Sequence, residues 1–367
     1  MSFYNEYLKV KDIDFSSFFE KITESHILKA INKEVLDVYD FLTLLSPIAQ
    51  NFLEEMAQKS HEITIQNFGR TMQLYTPMYL SNYCVNKCSY CGFNLCNDIK
   101  RKKLSLREIQ EESKAISSSG LRHILILTGE SKKESPLSYI IDGVKAVKKY
   151  FDSISIEIYP LTEDEYREVI RAGVDSLTIY QEVYNETIYD RVHIAGPKKN
   201  YRFRLDAPER GCRAKMRGVN IGALLGLDNW RKEAFFTGLH GKYLQDKYPD
   251  VEISISLPRL RPHIGSFNDI YSVLDKDLVQ IILAQRLFLP RIGLTISTRE
   301  SQSFRDNLIP LGVTKISAGV STEVGGHSSN TKSDSQFEIC DKRNVEEIRK
   351  MLLSKGYQPL FKDWMAI

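Results

Sequence analysis

No stretch of this 367-residue chain is apolar for long enough to cross a membrane, which takes roughly 18 consecutive residues. The opening MSFYNEYLKVKDIDF has no apolar core behind a basic flank, so it does not read as a secretory leader. Charge of one sign is missing too. Fifty Lys and Arg stand against 47 Asp and Glu, a net +3 spread along the whole chain, which disfavours nucleic-acid and membrane partners. No linker, low-complexity tract or charge block divides the chain after residue 70. A cytoplasmic protein is expected, and the length allows two domains or one large barrel. Cysteine is scarce, 6 in all, yet four of them fall between positions 84 and 96. That layout is poor for disulfides stapling a large domain and good for a metal site in a reducing compartment.

Residues 13–66 read as helix, with Phe15, Phe18, Phe19, Ile22, Ile27, Ile31, Val35, Ile48, Phe52 and Met56 at helical spacing. After Gly69 the pattern changes to strand-like runs: TMQLYTPMYLS (71–81), HILILTG (123–129), SISIEIYP (153–160), SLTIYQE (176–182), VNIGALLG (219–226), VEISISLPRL (251–260), GLTISTRE (293–300) and KISAGVST (315–322). Helical stretches lie between them and open on capping signals, Ser105 with Glu108 and Thr162 with Glu165. Strand and helix alternating eight times over about 250 residues predict an α/β fold, a (β/α)8 TIM-type barrel. Residues 1–69 are expected to form an N-terminal helical extension, and 70–367 the barrel with a C-terminal helical segment.

Barrel sites form at the carboxyl ends of the strands and in the loops after them. Polar residues gather there: Glu130, Glu157, Gln181 and Glu182, Arg259 and Arg261, Arg299 and Glu300, Ser317 and Ser321. Directly after the first run, YLSNYCVNKCSYCGFN places Cys84, Cys88 and Cys91 as C-x3-C-x2-C. Three thiolates can hold three irons of a 4Fe-4S cube and leave the fourth open for a bound small molecule. A closed zinc site would need Cys96 or a histidine as fourth ligand, but CGFNLC has the wrong spacing for a zinc ribbon and no second CxxC follows. Cys96, Cys212 and Cys340 are read as small buried packing residues. His193 and His240 lack a second histidine within a helical turn or two, which argues against a metal role.

The triplet, with Tyr90 before its last cysteine, resembles the signature of radical S-adenosylmethionine enzymes. The resemblance continues through IYQEVYNETIYDRVHIAGPKKNYRFRLDAPERG, GALLGLDNWR, SISLPRLRPHIG, LTISTRESQSFRDNLIPLGVTKISAG, QFEICDKRN and the closing FKDW. On these motifs the chain is similar to the tyrosine lyases of the 2-iminoacetate synthase (ThiH) family. It departs from the family pattern twice: Thr128-Gly129-Glu130 stands for the usual Gly-Gly-Glu, and Gly325-Gly326-His327 stands where a tyrosine is expected third.

The resemblance implies a 4Fe-4S cluster on Cys84, Cys88 and Cys91, with S-adenosylmethionine chelating its open iron and yielding a 5'-deoxyadenosyl radical. Glu130 would receive the cofactor ammonium, and Glu157 and Gln181 are further cofactor-binding candidates. Glu157 interrupts an apolar run, and a buried carboxylate needs a partner, either the cofactor or a structural salt bridge. An amino acid substrate needs its carboxylate paired; Arg299 offers a planar fork, with an internal ion pair to Glu300 or Asp306 as the alternative and Arg259 and Arg261 as the next candidates. By resemblance, Ser317 adds a hydroxyl nearby. Tyr79 either approaches the substrate amine, as in a tryptophan-cleaving relative, or fills the barrel.

The implied reaction takes hydrogen from the amine of L-tyrosine and breaks its Cα–Cβ bond, giving 2-iminoacetate and p-cresol for the thiazole of thiamine. Thiazole synthase and a low-potential electron donor would be partners. A tryptophan lyase, the hydrogenase-maturation tyrosine lyase and a non-catalytic iron-sulfur or zinc scaffold are the competing readings.

Overall fold

The computed structural model describes residues 2–328 and 333–362. Eight parallel strands, β1 (Thr71–Ser81), β2 (His123–Thr128), β3 (Ser153–Glu157), β4 (Ser176–Thr178), β5 (Gly218–Gly222), β6 (Glu252–Ser256), β7 (Gly293–Ile296) and β8 (Lys315–Ser317), pair in chain order. β8 pairs back onto β1 and closes a (β/α)8 barrel, so each expected run supplies one strand. A further strand, β9 (Gln358–Leu360), pairs with Thr71–Gln73 of β1. It was not expected: three residues containing a proline carry no readable alternation.

Strand periodicity decides what meets what. Along β1, Tyr75, Pro77 and Tyr79 line the barrel cavity, while Met78 and Leu80 turn outward, toward Ser113 and Gly143 of the surrounding helices. Both expected capping boxes form. Ser105 Oγ accepts from the Glu108 amide at 3.3 Å and Glu108 from the Ser105 amide at 2.7 Å; Thr162 and Glu165 do the same at 3.2 and 2.7 Å.

The stretch 13–66 is not one helix. It divides into Phe15–Phe19, Glu24–Asn32, Val38–Leu44 and Leu53–Phe68, and Phe3–Val10 is a further helix ahead of it. Asp14 and Asp37 impose two of the breaks by taking backbone amides at new helix starts, from Ser17 and from Tyr39 and Asp40. These helices pack on the barrel's own. Phe3 stacks on His240 at 4.1 Å and Phe41 on Phe288 at 4.3 Å. Gly238 permits the second contact, because a Cβ there would stand 2.5 Å from the Phe41 ring.

Beyond β8 the chain is held by buried charge. Arg305 donates to the Ser317 carbonyl and to Asp341, and both side chains are essentially inaccessible. Arg343 joins Asp341 at 2.7 Å and Asp306 at 2.8 Å. Removing one partner strands the other charge in the interior, which typically costs about 3 to 5 kcal/mol. Asp341→Ala is therefore expected to lower the urea midpoint by an amount in that range, while Asp306→Ala, at the more open end of the network, lowers it far less. Equal midpoints for the two variants would contradict this account.

Candidate active site

The loop after β1 carries the three cysteines, and the sequence around it supplies its braces. Arg101 donates to the carbonyls of Asn82, Phe93 and Asn94 at 2.7, 2.9 and 2.6 Å. Asn97 holds the carbonyls of Cys91 and Gly92 at 3.2 and 3.0 Å. On the other side the loop pairs with residues 192–195: the Lys87 amide donates to the Ala195 carbonyl at 2.9 Å, and the Lys87 carbonyl accepts from the Ile194 amide at 3.0 Å. Cys84, Cys88 and Cys91 all line one cavity at the carboxyl end of the barrel, and all are free thiols. The other three cysteines stand apart: Cys212 is buried as expected, whereas Cys96 and Cys340 are exposed and are not packing residues. His193 is spent on structure. Its Nδ1 faces the Tyr189 carbonyl at 2.8 Å and so carries the hydrogen, leaving Nε2 to accept from the Tyr90 hydroxyl at 2.7 Å.

A polar chain runs along one wall. Glu130 accepts from Asn86 Nδ2 at 2.6 Å, and Asn86 Oδ1 accepts from the Lys198 amide at 2.9 Å. Gly196 lets this chain close: its φ is +102°, and a Cβ would lie 2.3 Å from Asn86 Oδ1. Lys198 Nζ then reaches Glu182 at 2.7 Å, and Arg204 reaches the same oxygen at 3.3 Å. Glu182 adopts φ 73°, an uncommon left-handed conformation for a side-chain-bearing residue. The consequence corrects one expectation. Glu182 lines the cavity and Gln181 does not; Gln181 is buried, with both side-chain polar atoms lacking a partner among the described residues.

Tyr79, Glu157, Arg299 and Ser317 line the same cavity. Arg299 makes no ion pair among the described residues: it donates to the Arg259 carbonyl at 3.3 Å, and its guanidinium lies 3.5 Å from the centre of the Phe337 ring. The carboxylates that might have neutralised it are engaged, Glu300 by Arg259 and Asp306 by Arg343. Arg259 also meets Asp275 at 2.8 Å, which uses its fork, whereas Arg261 lines the cavity and touches Cys340. Ser317 Oγ accepts from the Thr298 amide at 3.1 Å. Burial pushes the Glu157 carboxyl up to about 7, helped by the Glu182 charge and opposed by Arg299, Lys198 and Arg204.

Comparison with known proteins places this geometry in a lineage. A 2-iminoacetate synthase of Escherichia coli (strain K12) is 40% identical over 343 residues, 93% of this chain and 91% of that protein. The chain belongs to the 2-iminoacetate synthase family. The family model of the radical SAM superfamily matches residues 78–236, and that of the biotin and thiamin synthesis associated domain matches 256–358. The 2-iminoacetate synthase of Salmonella typhimurium (strain LT2) is 39% identical over 93% of this chain and 91% of its own. Among solved structures, the FeFe-hydrogenase maturase HydG from Carboxydothermus hydrogenoformans superposes with a TM-score of 0.85 at 31% identity, over 97% of this chain and 81% of that one.

Two family departures now have surroundings. Gly129 of Thr128-Gly129-Glu130 lies against the cysteine loop, where a Cβ would be 2.4 Å from the Tyr83 carbonyl oxygen. His327 sits with Nε2 3.2 Å from the Pro77 carbonyl of β1, and buried Glu112 takes its amide at 2.7 Å. In the FKDW motif, Asp363 and Trp364 lie outside the described residues. For a 2-iminoacetate synthase relative, the residues that sequence reasoning passed over are Lys198, Arg204, Gln336 and Phe337, all cavity-lining. The first two stand in the quoted motif AGPKKNYRFR and Gln336 and Phe337 open QFEICDKRN, so the motifs themselves were the available signal.

Glu157 gives a pH dependence. Its folded pKa lies above the unfolded value, so between about pH 4.5 and about pH 7 the folded protein keeps a proton that the unfolded chain has released, and stability falls as pH rises through that window. Glu157→Gln is expected to lose less melting temperature than the parent between about pH 5 and about pH 8. Parallel pH profiles would place that proton elsewhere.

Proposed function

We propose that this protein is a radical lyase that cleaves the Cα–Cβ bond of L-tyrosine to 2-iminoacetate and p-cresol, supplying the thiazole of thiamine. The observation that carries the reading is Arg299: a half-buried guanidinium that makes no ion pair among the described residues and lines the same cavity as the three cysteines. Desolvation already works against its charge, and a substrate α-carboxylate is a planar partner that matches its fork.

The donor set fits a 4Fe-4S cluster. Burial pushes the Cys88 thiol up to about 12 and the Cys91 thiol upward, and a cation such as iron beside them would favour the thiolates. Three cysteines without a fourth ligand at zinc spacing suit a cube with one open iron better than a closed zinc site. When bound, the cluster and S-adenosylmethionine supply the radical that takes hydrogen from the substrate. The protein holds and orients. Glu130 is the acceptor for the cofactor ammonium, and Lys198, which gives Glu182 one of its three donors, stands on the same wall for the cofactor carboxylate. Tyr79 and Ser317 line the substrate side beside Arg299.

2-Iminoacetate is an imine that water hydrolyses, so direct transfer to thiazole synthase belongs to the proposal, as does a low-potential electron donor. No helix among the described residues is long and apolar enough to cross a membrane.

Anaerobic reconstitution followed by product analysis with tyrosine and tryptophan in parallel tests the reading; p-cresol from tyrosine is expected, and cofactor cleavage without it would refute the lyase. Cys84→Ala, Cys88→Ala and Cys91→Ala should each abolish the cluster absorbance, and Cys96→Ala should keep it. Arg299→Lys retains charge without the fork that restricts substrate rotation. It should lose p-cresol formation more than 5'-deoxyadenosine formation, on the order of tenfold in their ratio for one lost charge-assisted bond. An unchanged ratio with unchanged tyrosine affinity would pass the carboxylate to Arg261.

A further inference from the structure

The segment 336–340 straps the mouth of the barrel. The Gln336 amide donates to the Thr322 carbonyl at 3.3 Å, that of Glu338 to Pro262 at 3.0 Å and that of Cys340 to Thr298 at 2.9 Å. Gly92 admits the strap: a Cβ there would stand 2.4 Å from the Gln336 carbonyl oxygen. Its first side chain spans two parts of the site. Gln336 Nε2 donates to Cys91 Sγ at 3.7 Å, and Gln336 Oε1 accepts from the Tyr79 hydroxyl at 2.8 Å.

These contacts fix a direction. A thiolate that ligates iron has no proton and can only accept, so the carboxamide must present its NH2 to Cys91 and its oxygen to Tyr79. The reversed carboxamide would set a carbonyl oxygen against a negative sulfur. Tyr79 has one proton, and Gln336 takes it. The phenol oxygen therefore meets the cavity with lone pairs alone, as a partner for a donor such as a substrate amine. Burial holds that phenol protonated. Phe337, the next residue, carries the Arg299 guanidinium on its ring, so one strap touches a cysteine ligand, the amine side and the carboxylate clamp.

We propose that Gln336 is a positioning residue that transmits the charge of the Cys91 sulfur to the substrate side, making Tyr79 an obligate acceptor for the substrate amine while hydrogen-bonding the cluster ligand. This rests on the functional reading above for the cluster and the amine. Hydrogen bonds to cluster sulfurs raise the reduction potential, so the two ends of the carboxamide have separate readouts.

The test uses anaerobically reconstituted holoprotein, with the cluster midpoint followed by electron paramagnetic resonance and tyrosine KM and kcat measured alongside. Gln336→Leu should assemble the cluster with the parent's absorbance, shift its midpoint to more negative potential and raise tyrosine KM about tenfold, the size of one hydrogen bond to a charged group. Gln336→Glu cannot donate to the sulfur yet still accepts from Tyr79; its midpoint should fall while tyrosine KM stays near the parent's. That split is not what a merely structural side chain gives. A parent midpoint in Gln336→Leu, or equal loss of tyrosine affinity in both variants, overturns the inference. A parent holoprotein that forms its cluster but does not bind tyrosine overturns the functional reading instead, and the midpoint comparison still decides whether Gln336 bonds the ligand.

Discussion

Guanidinium groups converge on the carboxyl end of this barrel, and acidic side chains of the fold reach nearly all of them. Glu300 and Asp275 engage Arg259, Asp341 engages Arg305, Asp341 and Asp306 engage Arg343, and Glu182 meets Arg204. Arg299 is left with a carbonyl and an aromatic face. Charge in a low-dielectric interior is expensive to leave unpaired, and the fold supplies carboxylates to these neighbours while Arg299 makes no ion pair among the described residues. The same pairs that neutralise the surroundings also fix them: Asp341 anchors the segment that follows Gln336 and Phe337, and Glu300 holds Arg259, whose carbonyl orients Arg299.

Around the cysteines the same logic operates through the backbone. A loop with few regular hydrogen bonds of its own is held by Arg101 and Asn97 donating into its carbonyls, and by a short backbone pairing with residues 192–195. The two walls share parts: Asn86 belongs to the cysteine loop, yet it bonds Glu130 on one side and the Lys198 amide on the other. The cysteine loop and the wall from Glu130 to Lys198 are thus placed by one set of side chains. The left-handed backbone at Glu182 is local strain accepted in order to turn a carboxylate, rather than its neighbour, toward that wall.

Much of this was legible in the sequence because the decisive signals are local. Each of the eight barrel strands announces itself by apolar runs, and the two capping boxes by residues three apart. The cysteine loop is recognisable by spacing alone. What could not be read depends on contacts between distant segments. Strand alternation cannot say that Glu182 turns over, so the sequence pointed to Gln181 rather than to Glu182. Helical spacing over 13–66 survives the interruption at Asp37, which merely re-caps the next helix, and so suggested continuity. β9 is too short for any period, and it exists because β1 offers it an edge. Gln336 lies in a loop with no pattern, and its meaning comes wholly from Cys91 and Tyr79, some 250 residues earlier in a chain whose closed barrel brings them together.

The pairing of β1 has a consequence for biosynthesis. β1 lies early in the chain, yet two of the strands it binds, β8 and β9, are near the other end. During translation the cysteine loop therefore emerges with its first strand lacking neighbours on one edge, and the ring cannot close until β8 has left the ribosome. Contacts so far apart in sequence form slowly, and an open strand edge is prone to stray association in the interval. Until closure the strap cannot reach Cys91, nor can the wall from Glu130 to Glu182 enclose anything. The topology thus leaves three cysteines on an unbraced loop for most of synthesis, and their common cavity takes shape only when distant parts of the chain have met.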